Sequence, residues 1–299
     1  MRIVTRPDFD GVVCAAIISS VTPVTEPIKW VEPNEMQNGQ VEIRKGDIVA
    51  NLPHDRRCSV WFDHHYTNRV DAAFEGAFAL APSAAGIVYA YYRKRGLADV
   101  KYAELIRQTD KVDSADLTMD EVNRPEAYDH VLLSMTISNR GEADEAYWNR
   151  LVMLLRDCDI AEVMADAQVL RRCRQVIEEN RRFAQVLRAH TRMERHVSIT
   201  DLRGFDVAPN GNRFLSYSLF PDSYVNMKIR YEDGNRKQVL LGVGHSIFVR
   251  KCNVNVGHLL SGFNGGGHPG AGSCCFPAEL AEKYIPEILA VLLKNRPNT

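Results

Sequence analysis

The sequence predicts a two-domain α/β protein: an N-terminal domain with a parallel sheet, and a smaller mixed α/β domain joined to it by a helical connector. Three observations support this fold class. The chain of 299 residues is too long for one average domain. Strand and helix patterns alternate over the first half, which is typical of a parallel sheet covered by helices. Strand patterns then return from His196 onward. We place the domains at residues 1–159 and 193–299, with the connector at 160–192.

The first domain contains short apolar runs that each predict a strand. The predicted strands are Arg2–Thr5, Ile28–Val31, Asp47–Ala50 and Ser59–Phe62. Ser83 is expected to cap a helix that runs to about Lys94. From Ala103 to about Met193 the pattern is almost wholly helical, and residues 160–192 contain neither Pro nor Gly. We interpret that last stretch as the connector, with a bundle helix of the first domain as the alternative.

The second domain is predicted from strand patterns followed by one amphipathic helix. The strands are Val197–Leu202, Tyr224–Tyr231 and Gln238–Val243, and the helix is Leu280–Lys294. Its length of roughly 100 residues is common for a domain.

Composition excludes several classes of protein. Lys and Arg number 37 against 38 Asp and Glu, so a polyanion would have to bind in a local pocket, not to a global positive field. The seven cysteines form no C-x-x-C pair, which argues against a disulfide framework or a zinc ribbon. No signal-peptide pattern and no bilayer-spanning apolar run is evident. We therefore predict a cytoplasmic protein with no membrane partner.

Two acidic motifs follow predicted strands of the first domain, where open α/β sheets place their sites. Asp8 and Asp10 lie in Asp8-Phe9-Asp10-Gly11, and carboxylate oxygens suit Mg²⁺ and Mn²⁺. The alternative is a turn in which an Asp caps the next helix. Asp63-His64-His65 follows another strand and offers imidazole as well as carboxylate; the alternative there is an ordinary surface loop.

A third motif lies near the C-terminus. Gly265-Gly266-Gly267-His268 combines backbone N–H groups that an anion can approach closely with an imidazole donor. A flexible glycine turn is the alternative.

These three motifs, in this order, resemble the signatures of the DHH phosphoesterase superfamily with its C-terminal DHH-associated domain. The resemblance covers essentially the whole chain and is greatest to the nanoRNase and exopolyphosphatase-related branch. It implies a hydrolase with one or two Mn²⁺ or Mg²⁺ ions, acting on a small phosphorylated substrate, a nucleotide or a short oligonucleotide. It also suggests a homodimer through the first domain.

The resemblance implies roles for individual residues. Asp8, Asp10 and His64 would be metal ligands, with Asp110 as the further carboxylate and Asp113 as its alternative. Asp63, His64 and His65 would form the catalytic triplet. The substrate would be held by His65, Arg250, Gly265, Gly266, Gly267 and His268.

The sequence departs from the family pattern at two metal positions. Val4 replaces a His that many members carry, and Asn51 stands where the third strand normally ends in an Asp that bridges two metals. A neutral amide cannot bridge two cations as a carboxylate does. Three hypotheses follow: an active phosphoesterase with a partly degenerate metal site, a catalytically impaired protein that binds a nucleotide or polyphosphate, and an exopolyphosphatase or pyrophosphatase.

Overall fold

A computed structural model of the chain describes residues 1–137, 144–232 and 234–298. They form two compact units: Met1–Leu117 together with Pro125–Gln175, and Thr118–Arg124 together with the chain from Val176 on. The strands are β1 Arg2–Thr5, β2 Lys29–Trp30, β3 Asp47–Ala50, β4 Val60–Asp63, β5 Gly76–Phe78, β6 Thr191–Glu194, β7 Val197–Asp201, β8 Val225–Tyr231, β9 Gln238–His245, β10 Gly265–His268 and β11 Ala271–Pro277.

The helices of the described residues surround these strands. They are α1 Phe9–Val21, α2 Pro33–Gln37, α3 Ala84–Lys94, α4 Ala103–Asp113, α5 Met119–Asn123, α6 Asp129–Met135, α7 Glu145–Asp157, α8 Ile160–Ala165, α9 Ala167–His190, α10 Leu215–Leu219, α11 Val256–Ser261 and α12 Ala281–Lys294. None of the helices in the described part of the chain is long and apolar enough to cross a bilayer.

The first unit is built on a five-stranded sheet with the order β2-β1-β3-β4-β5, and every neighbouring pair is parallel. Its strands are short and apolar because a parallel sheet is covered on both faces. Helix α1 is buried nearly all round, which fits its unusually apolar sequence, and it packs against α3 and α7. The predicted parallel-sheet domain is thus confirmed.

The second unit contains a six-stranded sheet in the order β10-β11-β9-β8-β7-β6. Only the pair β7 and β8 is parallel among these strands, so the sheet is mixed, as predicted. One face carries alternate apolar side chains such as Met227 and Leu241, which form a core with Ile288 and Leu292 of α12. The opposite face of β8 carries Asn226, Lys228 and Arg230 by the alternation of a strand.

Two helices, α8 and α9, fill most of the stretch 160–192 that was predicted to be a helical connector. The chain breaks at Asp166, whose ψ of 132° is extended, and Thr191 begins a strand. The carboxylate of Asp166 accepts hydrogen bonds from the backbone N–H groups of Gln168 and Val169, so it starts a new helix instead of continuing the old one.

Candidate metal centre

The candidate residues of the first unit lie at the carboxyl ends of neighbouring parallel strands. Asp8 and Asp10 follow β1, Asn51 follows β3, and Asp63 ends β4. In the strand order 2-1-3-4-5 the switch point lies between β1 and β3, where open α/β sheets bind ligands. The topology alone therefore brings these side chains to one edge of the sheet.

The turn between β1 and α1 explains the first acidic motif. Asp8 is the N-cap of α1, and its Oδ1 accepts a hydrogen bond of 2.8 Å from the backbone N–H of Gly11. A Cβ at Gly11 would lie 2.0 Å from the carbonyl oxygen of Arg6, so only glycine fits this turn. The capping interpretation of Asp8 is therefore correct for the structure, and it leaves Asp10 to project from the first turn of the helix.

Asp10 is fully buried and is held by the start of another helix. Its two carboxylate oxygens accept hydrogen bonds from the backbone N–H groups of Ala84 at 2.9 Å and Ala85 at 2.8 Å, in the first turn of α3. Burial raises the pKa of Asp10 well above its usual range, and the nearby carboxylates of Asp113 and Asp8 raise it further. A cation at this position would offset that accumulation of negative charge.

His64 presents a nitrogen lone pair to the carboxylate of Asp10. Its Nδ1 lies 3.0 Å from the carbonyl oxygen of Ala81, which can only accept, so Nδ1 carries the proton and Nε2 is free to act as a ligand. Nε2 is buried and has no hydrogen-bond partner in the described residues. It lies 3.8 Å from Oδ2 of Asp10 and 3.4 Å from Oδ2 of Asp113.

These three side chains fit a divalent cation. One ligand atom from each of Asp10, His64 and Asp113 lies within 4.8 Å of the other two. A metal with bonds of about 2.0–2.2 Å would need only a small contraction of this group. Two carboxylates and one imidazole are a suitable donor set for Mn²⁺ or a similar ion.

The further carboxylate is placed differently from the sequence expectation. Asp110 and Asp113 both lie on α4, but it is Asp113, the second candidate, that joins His64 and Asp10. Oδ1 of Asp110 instead accepts a hydrogen bond of 2.6 Å from Ser83, the N-cap of α3. Asp110 thus supports the helix end that holds Asp10.

Asp63 organises the loop of the second motif. Its Oδ1 accepts from the backbone N–H of His64 at 2.9 Å and lies 2.8 Å from Nδ1 of His65, while its Oδ2 accepts from Asn68 at 2.6 Å. The hydrogen bond to Asp63 raises the pKa of His65, against the effect of burial. His65 is therefore oriented by Asp63 as a hydrogen-bond donor, and its side chain is about one-third exposed.

Asn51 and Asp8, two sequence-predicted site residues, form a hydrogen-bonded pair beside the group of Asp10, Asp113 and His64. Asn51 is buried in the left-handed region at φ 56°, a conformation that Asn tolerates better than most residues. Its Nδ2 donates a hydrogen bond of 2.9 Å to Oδ1 of Asp8, and its Oδ1 is buried without a hydrogen-bond partner in the described residues. Arg6 lies 3.3 Å from the other oxygen of Asp8. Despite Arg6, burial raises the pKa of Asp8 to about 6.

The glycine motif of the second unit is strand β10, not a loop. A Cβ at Gly265 or Gly267 would lie 2.3 Å from a carbonyl oxygen of β11, so both glycines are needed for close pairing of the two strands. Gly266 faces open space and His268 is exposed. Arg250 is exposed in the segment between β9 and α11.

Two contributors were missed by the sequence reasoning. Ser83 was expected only as a helix cap, although it also fixes Asp110. Arg6 was not singled out, although its position two residues before Asp8 could have suggested an ion pair at the turn.

Comparison with solved structures supports this description of the fold. The chain matches a pGpG-specific phosphodiesterase, PggH from Vibrio cholerae, with 27% identity and a TM-score of 0.85, over 98% of this chain and 99% of that one. It also matches an exopolyphosphatase-related protein from Bacteroides fragilis (14% identity, TM-score 0.54, 97% and 91% coverage). RecJ from Thermus thermophilus in complex with Mn²⁺ matches with 13% identity and a TM-score of 0.58, over 99% of this chain and 53% of RecJ. No family model and no curated protein matches the sequence.

Proposed function

We infer that this chain, which belongs to the DHH phosphoesterase superfamily, is a metal-dependent phosphodiesterase that cleaves short nucleotides such as a linear dinucleotide. The observation that carries the proposal is His64, whose buried Nε2 has no hydrogen-bond partner in the described residues and faces two carboxylates. A buried polar atom without a partner is costly, and a metal ion would satisfy it. The similar PggH is described as specific for pGpG, which supports a dinucleotide substrate.

We propose that Asp10, His64 and Asp113 hold one Mn²⁺ or Mg²⁺ ion. A divalent cation supplies Lewis acidity when bound, lowering the pKa of a water and polarising a phosphoryl oxygen. The protein's part is to fix these ligands: Ala84 and Ala85 orient the Asp10 carboxylate, and Ala81 sets the tautomer of His64. His65 is oriented by its contact with Asp63, and we propose that it donates a hydrogen bond to a phosphate oxygen.

Asn51 makes this a one-metal centre in our proposal. An amide has one oxygen and one NH₂ group, so it cannot serve two cations. Its NH₂ group already donates to Asp8, and Arg6 supplies positive charge on the other side of that carboxylate. The role of Asp8 is then to hold α1 and Asn51, and a second ion at Asp8 is not expected.

The remaining sequence-based roles stay predictions. We propose that Gly265, Gly266, Gly267 and His268, with Arg250, contact the phosphate or terminal nucleotide of the substrate. The domain boundaries 1–159, 160–192 and 193–299, the cytoplasmic location and the homodimer also remain predictions.

The proposal is tested by turnover of purified, EDTA-stripped protein with and without added Mn²⁺. Substrates are pGpG, a cyclic dinucleotide, phosphoadenosine phosphate and polyphosphate, with products separated by chromatography. We expect Mn²⁺-dependent cleavage of pGpG to mononucleotides, and a loss of more than about 10³-fold in Asp10→Asn and His64→Asn, because the metal stabilises the transition state. Asp71→Asn, at an exposed aspartate, is the matched control and should keep full activity.

A nucleotide-binding protein without turnover is the second candidate. The observation that favours it is the hydrogen bond between Asn51 and Asp8, which occupies a carboxylate that a two-metal enzyme would need. Binding of pGpG without cleavage under any metal would support this candidate and reject the first.

A further inference from the structure

We propose that the second unit carries an anion-binding cavity built on Lys228 and Arg230, which takes a phosphate group of the nucleotide. The proposed function supplies the nucleotide, and the charge of the cavity is argued from the second unit alone. Neither residue belongs to the glycine motif or to the metal centre.

The cavity lies beside strand β8. It has a volume of about 350 Å³ and is lined by Lys228, Arg230 and Tyr231 of the strand, by Glu232 and Gly234 of the turn after it, and by Leu202 and the loop segment 206–210, which includes Asp206. This volume is within the range of small-molecule sites. Lys228 and Arg230 alternate with Ile229, which is buried in the core, so both cations project from the other face of the sheet.

The two cations have no carboxylate partner in the described residues. The side-chain ammonium of Lys228 makes no hydrogen bond or ion pair there, and the side chain of Arg230 donates a hydrogen bond of 3.1 Å to the backbone carbonyl of Tyr231. Three other arginines of the second unit are paired with acids: Arg192 with Glu194, Arg203 with Asp201, and Arg236 with Asp206. Two carboxylates also line the cavity, but Asp206 is paired with Arg236 and Glu232 is contacted by the thiol of Cys275, so neither forms an ion pair with the two cations. The charges of Lys228 and Arg230 are thus left for a ligand.

The environment of Lys228 supports an anionic ligand. Burial lowers the pKa of Lys228, and the positive charge of Arg230 lowers it further. The half-buried ammonium of Lys228 beside the guanidinium of Arg230 destabilises the fold, because no ion pair with an acid offsets the desolvation of the ammonium or the repulsion between the two cations. A bound phosphate would offset both, and Arg with Lys is a suitable pair for phosphate oxygens.

No side chain faces Lys228 from the neighbouring strand β9. Gly242 lies directly opposite Lys228 on β9, and a Cβ there would come no closer than 4.0 Å to its nearest neighbour. Ser273 and Gly266 continue the same row on β11 and β10, so they share a face of the sheet with Lys228. At about 4.8 Å per strand, Gly266 is about 14 Å from β8, which suits a ligand longer than a mononucleotide.

Binding to the full chain in EDTA tests this inference, because no metal-dependent turnover can occur there. pGpG is added while the Cε–Hε NMR signals of lysine are followed, with guanosine as the ligand without phosphate and inorganic phosphate as the minimal anion. We expect pGpG and phosphate to shift the Lys228 signal saturably and to raise its pKa. Guanosine should leave it unchanged.

Variants make the test quantitative. Lys228→Met should weaken pGpG binding at least about tenfold, and Lys228→Arg should stay within about threefold of the wild type. Lys237→Met, at an exposed lysine, is the control and should bind normally. Lys228→Met should also unfold at the same or a higher temperature, because it removes a desolvated charge.

Three results would overturn the inference: no response of Lys228 to pGpG or phosphate, an equal response to guanosine, or normal binding by Lys228→Met. Failure of the proposed function would look different. The protein would then bind pGpG through Lys228 without cleaving it when Mn²⁺ is restored.

Discussion

Replacing Asn51 by Asp is the sharpest perturbation of the metal centre. The new carboxylate would face Oδ1 of Asp8 at about the 2.9 Å of the present hydrogen bond. Two unit charges at that distance repel by about 6 kcal/mol at an effective dielectric constant near 20. Taking up a proton costs less, because burial has already raised the pKa of Asp8 to about 6. Protonating Asp8 at pH 7 costs only about 1.4 kcal/mol. We therefore expect metal-free Asn51→Asp to lose about 1–2 kcal/mol at pH 7.

The loss should depend on pH with a definite sign. The folded pKa of the carboxyl pair is raised above its unfolded value, so the folded state binds more protons and stability falls as pH rises through that interval. At pH 5, below the Asp8 pKa of about 6, the protonation cost is close to zero. Urea unfolding in EDTA at pH 5 and pH 7 measures the difference. Added Mn²⁺ should restore stability and raise the bound metal from one to two ions per chain, measured by elemental analysis.

Asn51→Gly is the matched control, because glycine keeps the positive φ and adds no charge. It should cost about 1–2 kcal/mol for the lost hydrogen bond, without pH dependence. Two results together would reject the proposal that Asn51 limits the centre to one ion: Asn51→Asp as stable as the wild type in EDTA at pH 7, and only one Mn²⁺ bound per chain when Mn²⁺ is added.

Three further predictions concern the support of the site. Asp113→Asn should weaken Mn²⁺ binding by at least about 100-fold in calorimetry, because it removes a proposed ligand. Asp110→Asn should weaken it by no more than about tenfold, and the reverse order of the two variants would make Asp110 the ligand. The hydrogen bond to Asp63 raises the pKa of His65 in the folded protein above the usual value near 6.5. The stabilisation that this hydrogen bond gives is therefore complete below the unfolded-state pKa and is lost as pH rises through the folded-state pKa. In EDTA, His65→Gln should accordingly be more destabilising at pH 6 than at pH 9, and an equal effect at both would contradict this. Gly11→Ala should lower the free energy of unfolding by more than about 2 kcal/mol, because the new Cβ would lie 2.0 Å from a backbone oxygen. An unchanged thermal unfolding temperature would contradict this and show that the turn can open.

The sequence predicted the parts of the fold that depend on local pattern. The strands that precede Asp8 and Asp63 are short apolar runs, and a parallel sheet brings their carboxyl ends together whatever the details of packing. For this reason the edge of the sheet that carries the candidate centre could be identified from the motifs alone.

The choice between Asp110 and Asp113 could not be made in the same way. The two residues are three apart on α4 and share one side of the helix, so periodicity does not separate them. The choice depends on Ser83, which is 27 residues away in sequence and binds Asp110. The helix break at Asp166 was missed because a single side-chain cap decided it, inside a stretch with neither Pro nor Gly.

The most direct test of a one-metal phosphodiesterase is the initial rate of pGpG cleavage as Mn²⁺ is titrated into EDTA-stripped protein, at a protein concentration well above the dissociation constant. The proposed site of Asp10, His64 and Asp113 predicts a rate that rises linearly and reaches its plateau at one Mn²⁺ per chain. A plateau at two ions would contradict the one-metal centre. No cleavage at any Mn²⁺ concentration would contradict the proposed activity itself.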